Sequence, residues 1–167
     1  TEKEKARSDP YFTGEALVAL ARGLETSERT DEIKDALRKA YQAISATTEG
    51  HESLSGLYLW LMSSTAILHE STLLSGEEKT FFEEIAKKYQ KPLTEEIAKI
   101  TTRNNTCSVA EGLGNYISFA KDSSKTDLEL ALLQNLLRSN SRLQVTSTQV
   151  AALDGTEYTI PRNDLHR

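Results

Sequence analysis

Apolar and polar positions recur along most of the chain with a period near 3.6 residues, which predicts helices. One stretch differs from the rest: residues 53–68, SLSGLYLWLMSSTAIL, contain no charged residue and hold the single Trp and single Met of the protein. At 100° per residue, its apolar side chains surround nearly the whole helix axis, whereas a surface helix has one apolar stripe. We therefore predict a central helix over residues 53–69 that is buried on most sides.

Two amphipathic helices are predicted before the central one. Residues 1–8 are a polar lead-in, and Asp9-Pro10 has the cap and first-turn proline that commonly begin a helix. Thr30-Asp31-Glu32 begins the second helix, which ends near Gly50. The predicted inward sets are Phe12, Ala16, Leu17, Leu20, Ala21 and Leu24 in the first helix, and Ile33, Ala36, Leu37, Ala40, Tyr41 and Ile44 in the second.

Three capping boxes and a proline divide the second half of the chain. The boxes begin at Ser75, Ser108 and Thr126, each followed three residues later by Glu. Pro92 is predicted to end one helix and begin another. The last helix, LELALLQNLLRS, is so rich in leucine that we expect it to be well buried.

The C-terminal residues have a different composition. Asp154-Gly155 lies between VAAL and TEYTI, a pattern typical of a two-residue hairpin turn. The predicted fold is therefore all-α: a single-domain bundle of about seven helices around the buried helix 53–69, with a small C-terminal β-hairpin. Residues 1–141 form the bundle, and residues 142–167 form the hairpin and tail of the same domain.

Composition narrows the class of protein. A chain of 167 residues with 27% charged residues and a net charge of −5 is the size of one soluble domain, and its acidity argues against a nucleic-acid footprint over the first hundred residues. The uncharged stretch is shorter than the roughly 20 apolar residues of a membrane span. The single cysteine, Cys107, excludes an internal disulfide and favours an intracellular location. Because the chain begins with Thr, we expect it to be a processed or excised piece.

Candidate chemistry is sparse. His51, His69, Glu70 and Asp122 resemble, in degenerate form, the two His and two Asp that hold a metal in phosphohydrolases. An unbroken helix between the histidines would separate them by about 27 Å, so this arrangement requires a break near Ser63-Ser64. Cys107 has no adjacent base, and Gly112-Leu113-Gly114 lacks the context of a phosphate-binding loop. We expect neither a metal nor a cofactor.

The leading hypothesis is a non-catalytic helical module that binds another protein chain, as a scaffold or subunit of a larger assembly. A two-stranded hairpin is marginal alone, so it must dock on the bundle or add to another chain. The predicted partner-binding residues are Tyr158, Ile160, Arg138 and Arg142. The alternatives are a nucleic-acid-binding component of a viral or defence ribonucleoprotein, which is not favoured, and a degenerate metal-dependent phosphohydrolase.

Overall fold

The computed structural model describes residues 2–47, 54–97, 106–120 and 126–142, and these contain six helices. In chain order they are α1 (Glu2–Gly23), α2 (Thr30–Thr47), α3 (Leu54–Glu70), α4 (Gly76–Ile97), α5 (Thr106–Phe119) and α6 (Asp127–Arg142). The prediction of a helical protein is therefore confirmed for the described part of the chain. The predicted hairpin lies outside the described residues.

Helix α3 is the centre of the bundle, as the sequence predicts. It packs against α1, α4 and α5, while α6 packs on α5 and α2 packs on α1 and α4. From residue 57 onward, Glu70 is the only described side chain of α3 that is exposed. The fully buried side chains of the protein include Leu61 and Met62 of α3 and Leu37 and Tyr41 of α2. A helix that is apolar on nearly all sides is stable in water only when neighbouring helices cover it.

The inward face of α1 differs from the prediction. Phe12 is 67% exposed and Ala16 is also exposed, whereas Val18 is buried with the predicted Leu17. Gly14 explains the difference, since a Cβ at this position would lie 2.5 Å from Cβ of Trp60. The absence of a side chain lets α1 approach α3 at this point and rotates Phe12 toward solvent.

A buried polar cluster joins α2 to α3. The hydroxyl of Tyr41 lies 2.7 Å from Oγ of Ser64 and 2.9 Å from Oγ1 of Thr65, and both of these oxygens also contact the carbonyl of Leu61. Three hydroxyl protons serve these four contacts, so at most three are hydrogen bonds at one time. Burial raises the pKa of Tyr41 to about 12. The tyrosine therefore remains neutral and tethers the two helices.

The first predicted capping box is confirmed at the start of α4. The Ser75 N–H donates to Oε2 of Glu78 at 2.8 Å, and the Glu78 N–H donates to Oγ of Ser75 at 3.2 Å. Lys34 and Arg38 of α2 lie 3.6 Å and 3.7 Å from the same carboxylate. The hydrogen bond from the Ser75 N–H, together with these cations, holds the pKa of Glu78 below its usual value of 4.5. The Glu78 carboxylate thus caps α4 and links it to α2.

This cap makes stability depend on pH. The pKa of Glu78 is lower in the folded state than in the unfolded state. The Glu78 carboxylate therefore contributes fully to the free energy of unfolding above the unfolded-state pKa near 4.5, and this contribution is lost as the pH falls through the folded-state pKa. We expect Glu78→Gln to lower the free energy of unfolding by about 1 kcal/mol at pH 7 and by less near pH 3. Urea unfolding at both pH values measures the difference. Glu77→Gln, at an exposed neighbour in the same turn, is the control. An equal loss at both pH values would contradict the prediction.

Prolines divide the chain less than the sequence predicts. Helix α4 continues through Pro92 to Ile97, and α1 begins at Glu2 rather than at Pro10. A proline inside a helix lacks the N–H for the carbonyl four residues earlier, and this loss can kink a helix without ending it. The two helices predicted around Pro92 are one, so the structure does not confirm the predicted count of about seven.

The other two predicted capping boxes have different outcomes. Helix α5 begins at Thr106, so Ser108 lies inside the helix and the box predicted there is wrong. Helix α6 begins at Asp127, directly after Thr126, as predicted. Glu129, however, is buried, and its Oε2 has no hydrogen-bond partner in the part of the chain that the structure describes. Burial is the main cause of the raised pKa of Tyr116, and the negative charge of Glu129 raises it further.

None of the described helices combines the length and the apolar character that crossing a bilayer requires.

Candidate interaction surface

His69, a metal ligand only in the phosphohydrolase alternative, contacts a carboxylate of the neighbouring helix. Its Nδ1 lies 2.7 Å from Oε1 of Glu83 on α4, and the other oxygen of Glu83 lies 3.3 Å from Nζ of Lys87. The Glu83 side chain is 16% exposed, so this pair is partly shielded from water. His69 therefore links the end of α3 to α4, while the Glu83–Lys87 pair has the i, i+4 spacing that favours ion pairs along a helix.

The arrangement needed for a shared metal site is not met over the described residues. Helix α3 is continuous from Leu54 to Glu70, so the break required near Ser63-Ser64 does not occur. Among the described residues, no group of three or more His, Cys, Asp or Glu side chains could hold a metal ion. His51 and Asp122 lie outside the described residues.

Glu70 instead lies at an open groove between α1, α3 and α5. The groove has a volume of about 550 Å³, and Ala66 and Ile67 contribute apolar surface to it. Asn115 of α5 donates from Nδ2 to Oγ of Ser63 at 2.8 Å within the same groove. The charged residues that line it are Arg22, Glu25, Glu70 and Glu111. Glu25 accepts a hydrogen bond from the Ser71 hydroxyl, so this carboxylate already stabilises the fold.

Gly112 has a packing role, as the sequence favoured over a phosphate loop. A Cβ at Gly112 would lie 2.6 Å from Cε1 of Tyr58 and 3.3 Å from Cα of Leu59. Tyr58 is buried, and its hydroxyl donates to Oε1 of Gln90 at 2.7 Å. Burial raises the pKa of Tyr58 strongly. A Cβ at Gly114, by contrast, would meet open space. Of the two glycines, only Gly112 is therefore required for the close approach of α5 to α3.

Helix α6 presents apolar side chains to solvent, against the prediction that it is well buried. Leu130 is 45% exposed, Leu137 is 53% exposed and Leu128 is 59% exposed. Leu130, Leu133 and Leu137 have i, i+3, i+7 spacing and form one line along the helix, which we call the leucine stripe. Leu130 and Leu137 of this stripe are exposed, whereas Leu133 is partly buried against the core. Leu136 and Glu129 occupy the buried face instead. Because α6 packs mainly on α5, its partners cover only one side of a helix that is rich in leucine on several sides.

The leucine stripe adjoins an open hollow between α5 and α6. This hollow has a volume of about 570 Å³ and lies beside Leu137. Its other lining residues are Cys107, Ala110, Glu111, Asn140 and Ser141. Cys107 is exposed here. The thiol therefore provides a chemical probe of whether this side of α6 is covered.

The structure places two of the four predicted partner-binding residues on α6. Arg138 is exposed, and Arg142 is the last residue of the helix, four positions later on the same side of its axis. Tyr158 and Ile160 lie outside the described residues. Arg138 follows Leu137 directly, so a positive charge stands at the edge of the leucine stripe.

Sequence reasoning missed the leucine stripe, although its spacing was visible. A leucine every three or four residues predicts that a helix is covered, and it does not say whether the same chain covers it. The sequence matches no protein-family model, and no curated protein or solved structure shows significant similarity to it.

Proposed function

We propose that this protein is a non-catalytic helical interaction module that binds another protein chain through α6 and the segment that follows it. The observation that carries the proposal is the leucine stripe with its exposed Leu130 and Leu137. Two of its three leucines, Leu130 and Leu137, are among the few large apolar side chains that the described part of the chain leaves substantially exposed. Contiguous apolar surface with a polar rim is typical of protein-binding sites.

The neighbouring charges and the hollow support the same surface. Arg138 follows Leu137 and is exposed. Arginine is enriched at the centres of protein interfaces. The hollow beside Leu137 gives a partner side chain a place to insert. A helix face with leucines at i, i+3 and i+7 is suited to packing against another helix. In such interfaces the spaced apolar anchors supply most of the affinity. Tyr158 and Ile160, in the predicted hairpin, would extend this surface.

Site-specific cross-linking in cells that express the protein tests the proposal. A photoreactive amino acid at position 137 is expected to capture a discrete protein, whereas the same group at Leu73 gives none. Leu73 is the matched control because it is 41% exposed and lies between α3 and α4. Leu130→Glu with Leu137→Glu is expected to reduce capture by at least about tenfold, as is Tyr158→Asp with Ile160→Asp.

Equal capture from positions 137 and 73 would contradict the proposal, as would loss of helicity in the glutamate variants at the temperature of the assay. Binding of RNA or DNA that weakens steeply as salt rises would favour the nucleic-acid alternative instead, because neutralising phosphates releases counterions. A flat response to salt argues against that alternative.

A further inference from the structure

The exposed side of α6 carries opposite charges at its two ends. Asp127 lies in the first turn and Arg138 lies eleven residues later, and both are exposed. Eleven residues make three turns and about 20° at 100° per residue, so both charges lie on one line, about 16 Å apart. No described residue forms an ion pair with either of them. This line runs beside the leucine stripe, on the side away from α5.

We propose that a second copy of this chain packs its α6 antiparallel on α6, stripe against stripe, around a twofold axis near residues 132 and 133. This inference rests on the proposed function, because it names the partner for the same surface. In an antiparallel pair the same edge of each stripe faces its counterpart. Asp127 of each copy then lies beside the partner's Arg138, so two opposite-charge pairs form. A parallel pair would instead place the charged edge of one α6 against the opposite edge of the other, so these charge pairs would not form.

The size of the contact sets the strength of this association. A helix of 16 residues is about 24 Å long, so two such helices bury less surface than a standard stable interface. We therefore expect a reversible dimer with a Kd in the micromolar range. The self-complementary charges determine its orientation more than its affinity.

Sedimentation velocity on the full chain tests the proposal with two charge reversals. Asp127→Arg places two arginines opposite each other in each pair, and Arg138→Asp places two aspartates opposite each other. We expect each variant alone to raise the dimer Kd by at least about tenfold. An equimolar mixture of the two is expected to return to within about threefold of the wild-type Kd, since every pair in the mixed dimer is again opposite in charge.

Recovery on mixing cannot arise from damage to the fold, so it separates pairing from any effect of the reversals on α6 itself. Helicity and Trp60 fluorescence of each variant provide the folding control. A wild-type chain that remains monomeric up to about 500 μM overturns the inference, as does a mixture that associates no better than either variant. If the chain is monomeric but position 137 still cross-links to a different protein, the proposed function stands and only the identity of the partner is wrong.

Discussion

Leu61→Ala is expected to lower the free energy of unfolding by about 2–5 kcal/mol, because it removes a fully buried side chain from the central helix. The loss combines the transfer energy of the deleted carbons with the cavity that remains. Leu61 lies on α3, against which α1, α4 and α5 pack, so the surrounding helices cannot close the cavity without moving one another. For a domain of this size, the loss is a large fraction of total stability.

Urea unfolding followed by circular dichroism and by Trp60 fluorescence measures the effect. Leu73→Ala is the control, since Leu73 is 41% exposed and its removal should change stability by no more than about 0.5 kcal/mol. The central position of α3 would be wrong if the two variants lost similar stability.

Gly112→Ala is expected to destabilise the protein, whereas Gly114→Ala, two residues away in the same helix, is expected to stabilise it. Alanine improves the intrinsic helix propensity at either position by up to about 1 kcal/mol. At Gly112 the new Cβ would lie 2.6 Å from a ring atom of buried Tyr58 and close to the backbone of Leu59. Separating α5 from α3 to relieve this overlap costs about 1–3 kcal/mol.

The difference between the two variants isolates the packing term, because the gain in helix propensity is common to both. We expect Gly114→Ala to be more stable than Gly112→Ala by about 1–3 kcal/mol, which corresponds to a difference in Tm of several degrees. Thermal unfolding of the two proteins side by side provides the measurement. Equal stability would mean that α5 does not approach α3 closely at Gly112.

The features that could be predicted from the sequence depend on residues that lie close together along the chain. The absence of charge and the apolar circumference of residues 53–68 require burial wherever the helix lies, so the sequence was sufficient to identify α3 as central. The Ser75–Glu78 capping box also needs only residues three positions apart, and both of its hydrogen bonds form. The apolar face of α2 was equally readable, with Leu37, Tyr41 and Ile44 buried.

The candidate surface could be predicted only in part. Arg138 and Arg142 were identified from their i, i+4 spacing near the end of a helix, and they are on α6. The leucines beside them were expected in the core, because composition records that a side chain is apolar and not which neighbour is available to cover it. Tyr158 and Ile160 remain predictions.

By itself, the sequence determined the helical class, the central helix and the first residues of α4, since these depend on periodicity, hydrophobicity and hydrogen bonds between near neighbours. Only the tertiary structure decided the rest. The Gly14 contact with Trp60 sets the rotation of α1, and α4 continues through Pro92, although proline alone disfavours a helix. The fold likewise decided that α5 covers one side of α6 and leaves Leu130 and Leu137 exposed. These outcomes depend on which helices meet, because burial is a property of pairs of surfaces and not of one segment.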